Sequence, residues 1–235
     1  TGVTPMMATE IPAAITTPDR VETRIGTLEF VDGFPTDETV ELCYDNLDFL
    51  RGMEAFLNFM PAASLHALLE GMEEVGCQRN GDLMVTDNRL MDSQALYLTA
   101  NTESVYGSAV MDLKDGPVVV ETPPNILGVV DDHFFRYVAD LGNVGPDKGQ
   151  GGKFLFLPPG WEGDVPEGYF TYRSSTYRNW VLWRGFLVDG DPGPASQANR
   201  KHVRIYPLAH PEQRDNVQFI NGAGKYYNTI HANDF

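Results

Sequence analysis

The sequence predicts a mainly β domain with α+β character: an antiparallel β-sandwich or barrel, jelly-roll-like, preceded by a helical hairpin. Two observations predict it. Before Gly81, apolar residues recur at helical spacing. After Gly81, short segments rich in Val, Tyr, Phe and Thr alternate with turn residues at intervals of about eight to twelve residues, which is typical of sandwiches and barrels and not of βαβ units.

The helical hairpin is predicted over residues 36–76. Thr36 or Asp37 caps its first helix, and acidic residues fill the first turn. The apolar positions of this helix are Val40, Cys43, Leu47, Leu50, Met53, Leu57 and Met60. Pro61 interrupts the pattern, so a second helix is expected over residues 64–75.

The β domain is predicted over residues 77–208, between an N-terminal arm (1–35) and a C-terminal extension (209–235). The arm is rich in Thr and Pro and is expected to hold one short strand, Thr27–Phe30. Ala195–Lys201 is expected to be helical. The predicted strands of the β domain are 82–86, 95–100, 104–113, 117–121, 126–130, 133–139, 153–158, 167–173, 176–188 and 202–206.

Several long segments resemble the signature motifs of the domain of unknown function 1254 (DUF1254) family. They are Tyr44–Phe49, Asp92–Tyr106, Gly116–Glu121, Asp140–Tyr172 and Tyr206–Leu208. The resemblance covers roughly residues 40–208. It implies that a second β-rich domain, of unknown-function family 1214, follows a further helical stretch, so we expect residues 209–235 to lead toward such a missing domain.

The resemblance also implies an export signal, and hence a periplasmic or secreted protein; a cytoplasmic location is the alternative. Cysteine usage does not decide between them. Cys43 and Cys77 are compatible with buried free thiols or with a disulfide.

The net charge of −16 argues against nucleic acid and anionic membranes as partners, and no apolar run is long enough for a membrane span. The charge is uneven: residues 1–135 hold 23 acidic and 6 basic residues, whereas residues 136–235 hold 10 acidic and 11 basic ones. This slightly basic portion beside an acidic one favours a small anionic ligand, association into a homo-oligomer, or association with a second domain.

A Gly-rich loop over residues 145–153 carries Lys148 and Lys153 into an apolar strand. It fails the pattern of a nucleotide-binding P-loop, because Asp147 and Phe154 replace the required Gly and Ser/Thr. Two interpretations stay open: a solvated hairpin whose glycines serve the turns, or a loop in which the two lysines contact an anionic substrate.

Arg173 and Arg184 lie in strands dense in aromatic residues. Because an arginine among apolar residues is rarely left unpaired, each is expected either to form a buried ion pair, with Asp92 or Asp112 for example, or to bind an anionic substrate.

The segment from Asn101 to Tyr106 joins two strands and offers more polar groups than a turn needs. Glu103, Tyr106 and Asp92 are the candidate catalytic residues for proton transfer, and Asn101 is a candidate for substrate binding. A structural role in capping the turn is the alternative.

Asp131 and Asp132 are the candidate metal ligands, for Mg²⁺ or Ca²⁺, with a plain turn as the alternative. The sequence contains no G-x-S-x-G, H-E-x-x-H, C-x-x-C or G-x-G-x-x-G motif, so Ser/His/Asp hydrolysis, zinc, flavin, haem and nicotinamide have no support.

The function that these residues favour is a hydrolase or lyase acting on a small phosphate- or carboxylate-bearing substrate. The alternative is a non-catalytic β-sandwich that binds a ligand or a protein through exposed aromatic residues, namely Trp161, Phe170 and Tyr172. A deep pocket with converging Glu103, Asn101 and an arginine indicates the enzyme; an open face indicates the binding module.

Overall fold

The computed structural model describes residues 12–16, 18–87, 89–97 and 100–230. The chain divides into two compact units, one ending at Asn58 and the other beginning at Phe59.

The first unit contains a three-stranded antiparallel sheet that follows a short 3₁₀ turn. The strands are β1 (Arg20–Thr23), β2 (Gly26–Val31) and β3 (Phe34–Pro35), and the turn is Ala13–Ile15. Strand β2 confirms the strand predicted in the N-terminal arm, whereas β1 and β3 were not predicted. The Thr39 hydroxyl connects the sheet to the helix that follows, since it accepts the Glu29 N–H at 2.7 Å.

Helix α1 (Asp37–Glu74) is continuous, so the predicted helical hairpin is wrong. The Thr36 hydroxyl accepts the Thr39 N–H at 3.3 Å and caps the helix as predicted. Pro61 lies inside the helix. Proline removes one hydrogen-bond donor, but the carbonyl that loses its partner belongs to Leu57, which is 59% exposed, so water can replace the bond.

The second unit is mainly β with α+β character, as predicted. Its strands are β4 (Asp82–Val85), β5 (Val105–Asp112), β6 (Val118–Glu121), β7 (Ile126–Asp132), β8 (Tyr137–Gly142), β9 (Lys153–Leu157), β10 (Phe170–Arg173), β11 (Arg178–Gly185), β12 (Arg204–Pro207) and β13 (Gln218–Asn221). Helix α2 (Gly193–His202) contains the predicted helical stretch, and a 3₁₀ turn lies at Pro211–Gln213.

The strands form two open sheets. One has six strands in the order β13-β4-β5-β11-β7-β8, and the other has four in the order β10-β9-β6-β12. Most pairs are antiparallel, but β9 pairs with β10 and β4 with β13 in parallel. The prediction of purely antiparallel sheets is therefore wrong at these two edges, because each pair is joined by a crossover rather than a hairpin. Within the described residues neither sheet closes into a barrel.

Both sheets contribute to one apolar core. The six-stranded sheet supplies Leu83, Ala109, Val130, Val181 and Trp183, and the four-stranded sheet supplies Val118, Val120, Phe154, Phe156 and Ile205. A second cluster forms where the end of α1, including Leu65, Leu69 and Met72, covers the outer face of the larger sheet over β4 and β5. The outer face over β7 and β8 has no such cover among the described residues.

Two strand predictions are displaced. The segment predicted over 133–139 becomes β8, beginning at Tyr137, because a turn from Asp132 to Arg136 occupies its first half. Of the segment predicted over 95–100, the described residues form only an isolated bridge between Leu96 and Asn228.

Both cysteines are free: Cys43 is exposed and Cys77 is buried, so the disulfide interpretation is wrong. Among the described residues, no helix combines the length and apolar character that crossing a membrane requires.

Candidate functional site

The outer face of the six-stranded sheet is open to solvent where β11, β7 and β8 run side by side. Alternation along β11 places Val181 and Trp183 in the core and turns Leu182 and Arg184 outward. The outward residues of the three strands are Leu182, Arg184, Leu127, Val129, Asp131, Tyr137 and Asp140.

An open groove of about 260 Å³ crosses this face. Leu127, Val129 and Leu182 form its apolar floor, while Arg184 and Asp140 lie at opposite sides. Arg184 pairs with Leu127, and Asp140 pairs with Val129 on the next strand. The two residues are therefore two strand spacings apart across the sheet and two residues apart along it, which is roughly 12 Å between their Cα atoms. The groove therefore offers an apolar surface between a cation and an anion.

Arg184 lies at one side of the groove with its guanidinium over the Tyr106 ring, 5.9 Å from the ring centre. No carboxylate within the described part of the chain lies within ion-pair distance of it. The predictions that Arg184 is largely buried and that it pairs with Asp92 or Asp112 are both wrong. Alternation explains this, because the strand buries Trp183 and exposes the arginine that follows.

The segment before β5 supports the position of Tyr106. The Tyr106 hydroxyl accepts the backbone N–H of Asn101 at 3.0 Å, and the Asn101 side chain accepts the N–H of Glu103 at 2.9 Å. Three predicted residues, Asn101, Tyr106 and Arg184, are thus brought together. Tyr106 is itself buried, so it supports the arginine from below.

The two predicted acids do not converge on this site. Glu103 is exposed and contributes a backbone N–H to the turn. Asp92 accepts the Gln94 N–H at 3.0 Å and lies 3.4 Å from the Arg89 guanidinium, which is a local turn arrangement.

Asp131 and Asp132 lie on opposite faces of β7, so they do not converge on one ion. The Asp132 carboxylate accepts the Arg136 guanidinium at 2.8 Å and the Ser175 hydroxyl at 2.6 Å, in addition to two backbone N–H groups. Asp131 faces the solvent side instead. Burial, together with the charge of Asp132, raises the pKa of Asp131 to about 6. Among the described residues, no three or more His, Cys, Asp or Glu side chains are grouped so that they could hold a metal ion.

The Gly-rich loop is held together by Asp147. Its buried carboxylate accepts the N–H of Gly142 at 2.8 Å and of Gly151 at 3.2 Å. Gly142 has φ +79° and a Cβ there would lie 2.1 Å from the Ile126 carbonyl, so only glycine fits. Lys148 is exposed. The contacts favour a structural role for this loop over the anion-contacting one. The loop is not the expected hairpin, however, because β8 and β9 belong to different sheets and the loop connects the two.

Lys153 and Arg173 contact groups of the protein. The Lys153 ammonium lies 3.9 Å from Glu121, and the Arg173 guanidinium donates to the Trp161 carbonyl at 2.7 Å. The main partner of Glu121 is Arg214, which binds both carboxylate oxygens, at 2.9 and 2.6 Å.

The aromatic residues expected to form a contact surface are mostly packed inward. Tyr172 stacks on Phe154 and Phe156, and Phe170 contacts Phe154. Trp161 is half-buried against the outer face of the four-stranded sheet.

Comparison with known proteins identifies the family. The model of a protein of unknown function, DUF1254, matches residues 81–207, more than half of the chain. The chain belongs to the DUF1254 family. The match contains β4 to β12 and the whole groove, while the predicted motif at Tyr44–Phe49 lies outside it. The expected family 1214 domain stays a prediction.

One solved structure to which this chain is similar is the VPA0106 protein from Vibrio parahaemolyticus. It shares 16% sequence identity with a TM-score of 0.47, and the aligned part covers 67% of this chain and 40% of that protein. No curated protein matches the sequence.

Sequence reasoning missed Asp140 and the apolar floor of the groove. The sequence does contain a pattern that indicates the floor, since Leu127 and Val129 alternate with the core residues of β7 at a period of two. Alternation alone did not indicate that this face lacks a cover, because the extent of α1 over the sheet depends on tertiary packing.

Proposed function

We propose that this DUF1254 protein binds a small organic anion, a carboxylate or phosphate carried on an apolar body, in the groove beside Arg184. The observation that carries the proposal is the Arg184 guanidinium, which is fixed over Tyr106 and has no carboxylate partner among the described residues. A guanidinium offers planar paired donors that match a carboxylate or a phosphate.

The rest of the groove defines the ligand further. Leu127, Val129 and Leu182 favour an apolar body, and Asp140 at the far side favours an amine or hydroxyl on the ligand. The Tyr137 hydroxyl donates to Asp140 at 3.3 Å and helps to hold that carboxylate in place. An open groove favours the binding-module alternative over the enzyme, because the two predicted acids, Glu103 and Asp92, do not converge on the arginine.

The experiment is a thermal-shift series with defined probes: hexanoate, phenyl phosphate, inorganic phosphate and the neutral benzyl alcohol. Binding to the folded state raises the melting temperature, and the shift grows with the logarithm of the ligand concentration relative to its Kd. We expect shifts with hexanoate and phenyl phosphate and none with benzyl alcohol. Inorganic phosphate separates recognition of the anion alone from recognition of the apolar body.

Arg184→Met should abolish these shifts, since methionine keeps the aliphatic stem and removes the charge. The matched control is Arg173→Met, which changes an exposed arginine on the other sheet. Equal shifts in wild type and Arg184→Met, or loss in both variants, would contradict a site at this groove.

Catalysis is the second candidate, favoured by Asp131. Its carboxyl group lies on the same outer face and has a pKa of about 6, which suits a general acid or base near neutral pH. Asp131 lies four residues along β7 from Leu127, about 13 Å away, so a substrate held by Arg184 must be elongated. The predicted hydrolase or lyase activity is tested with p-nitrophenyl phosphate and p-nitrophenyl hexanoate. Turnover with an inflection near pH 6 that Asp131→Asn removes would support catalysis.

The proposal retains the jelly-roll-like sandwich as the scaffold, which the shared core of the two sheets supports. It also retains the periplasmic or secreted location that the family resemblance implies.

A further inference from the structure

The first unit presents an apolar helix face with no cover. Between Asp37 and Asn58, helix α1 exposes large apolar side chains, with exposed fractions from 36% at Val40 to 70% at Phe56. The exposed apolar residues that share one half of the helix circumference are Cys43, Leu47, Phe49, Leu50, Met53, Phe56 and Leu57. We call these seven residues the 43–57 face.

The sheet of the first unit contacts only the start of the helix. Thr39 bonds to Glu29 of β2, and Leu42 lies against Gly26. The described residues of this unit provide nothing that covers the 43–57 face. A monomeric soluble protein rarely leaves such a patch open, so it indicates an interaction surface.

The area of the face fits a second copy of the same helix. Each aromatic side chain has about 150–250 Å² of surface, and the exposed fractions of Phe49 (66%) and Phe56 (70%) leave most of it available. With the aliphatic members, the face exposes roughly 600 Å² in one chain, so two copies would bury about 1,200 Å², the lower bound of specific interfaces.

The charged residues of α1 favour one relative direction of the two helices. Asp37, Glu38, Glu41 and Asp45 make the start of the helix acidic, whereas the second half carries Arg51 and fewer acids. A parallel pair would place two acidic starts side by side. An antiparallel pair centred on Leu50 separates the two Glu41 residues by about 27 Å along the axis, well beyond the Debye length of about 8–10 Å.

We propose that the 43–57 face is a homodimer interface in which two copies of α1 pack antiparallel about a two-fold axis near Leu50. The face is mainly apolar: Asn46 is the polar residue near its centre, and Glu54 lies toward its rim. Under a two-fold axis each patch meets its own copy, as a self-complementary interface requires.

Sedimentation equilibrium of the whole chain tests the association. Wild type should show twice the 26.1 kDa mass of one chain. Leu50→Lys should be monomeric, because it inserts two ammonium groups at the axis. The matched control Asp48→Lys introduces the same residue on the opposite half of the helix and should remain dimeric. A wild-type protein that is monomeric at about 100 μM overturns the proposal and would mean that the face binds a different partner. A Leu50→Lys variant that stays dimeric also overturns it.

Disulfide trapping tests the orientation and does not depend on how well Leu50→Lys folds. In the antiparallel pair the two Cys43 residues lie about 21 Å apart along the axis, whereas residue 50 meets its own copy. Under mild oxidation, Cys43→Ser/Leu50→Cys should form a covalent dimer and wild type should not. Covalent dimers through Cys43 in wild type would indicate parallel helices and overturn the arrangement.

Discussion

The outer faces of the two sheets are completed in different ways. On the four-stranded sheet, Trp161 and Leu208 lie over buried apolar residues such as Leu157. On the six-stranded sheet, the corresponding area over β7 leaves Leu127 38% exposed. The chain covers one apolar face with its own residues and leaves part of the other open.

The arginines on the two faces also differ in their partners. Arg214 binds the buried Glu121 carboxylate with two hydrogen bonds, and Tyr206 donates a third at 3.0 Å. Arg184 has an aromatic ring and no carboxylate partner among the described residues. The comparison indicates that the covered face stabilises the fold, whereas the open face keeps an arginine available for a ligand.

The largest expected effect is on the covered face. Arg214→Met leaves the Glu121 carboxylate buried without its main partner and should lower the free energy of unfolding by about 2–3 kcal/mol in urea denaturation. This is less than for a fully buried pair, because the Arg214 side chain is 41% exposed.

The pH dependence checks the cause of that loss. Burial opposes ionisation of Glu121, but hydrogen bonds from Arg214 and Tyr206 outweigh it and hold its pKa below the ordinary value. A carboxylate with a lowered pKa in the folded state stabilises the fold at pH values above the ordinary glutamate pKa. This contribution to stability is lost as the pH falls through the lowered pKa. The difference between wild type and Arg214→Met should therefore shrink as the pH falls below about 4. A difference that stays constant with pH would point to lost packing instead.

Asp147→Ala tests whether the Gly-rich loop, like the covered face, serves to stabilise the fold. Removing a buried carboxylate that accepts two N–H groups should lower the free energy of unfolding by about 2 kcal/mol. Lys148→Ala, one residue away and exposed, should change it by less than about 0.5 kcal/mol. The opposite order of effects would restore the anion-binding interpretation of the loop.

Asp131→Asn should stabilise the protein at pH 8. A raised pKa favours folding below the unfolded value of 3.8, and that contribution is lost as the pH rises through about 6. Removing the charge should raise the free energy of unfolding at pH 8 by about 1–2 kcal/mol, after allowance for solvent screening. At pH 4 the variant and wild type should nearly coincide. Stabilisation that is equal at both pH values would contradict the assignment.

The smallest expected effect on stability is at Arg184. Arg184→Met removes one exposed cation–π contact and should lower the free energy of unfolding by at most about 0.5–1 kcal/mol. Arg184→Lys should lose even less, since it keeps the cation over the Tyr106 ring. A loss of 3 kcal/mol or more in either variant would mean that Arg184 belongs to the structural network and that the two faces do not differ in kind.

Local patterns in the sequence predicted the strands and α2 well. β5, β6, β7, β9, β11 and β12 all lie where Val- and aromatic-rich segments stand between turn residues. The continuity of α1 at Pro61 was not predicted, because proline usually ends a helix. Here the helix continues, since the carbonyl that loses its hydrogen bond is exposed and can bind water instead. The parallel pairs of β9 with β10 and β4 with β13 leave no local signal, since they depend on which edges remain free.

The candidate site was predictable in part. Asn101, Tyr106 and Arg184 were selected from separate segments and lie together, because β5 and β11 are neighbours. The exposure of Arg184 was not predicted, although the period of two along β11 places it opposite Trp183. Glu121, the partner of Lys153, and Ser175, one partner of Asp132, come from distant segments that no local pattern identifies. Arg136, the other side-chain partner of Asp132, lies only four residues further along the chain.

The parallel pairing of β4 with β13 affects how the chain reaches its native state. The two strands are separated by more than 130 residues, and β13 lies beyond the region matched to the family. Such non-local pairing slows folding, because the entropy of closing a long loop must be offset first. At about 5–20 residues per second, a ribosome would take from about 7 to 27 seconds to deliver β13 after β4. During that interval β4 is an unpaired edge strand, open to pairing with other chains. A protein ending at residue 207 would keep that edge permanently, so we expect it to aggregate where the chain through residue 230 does not.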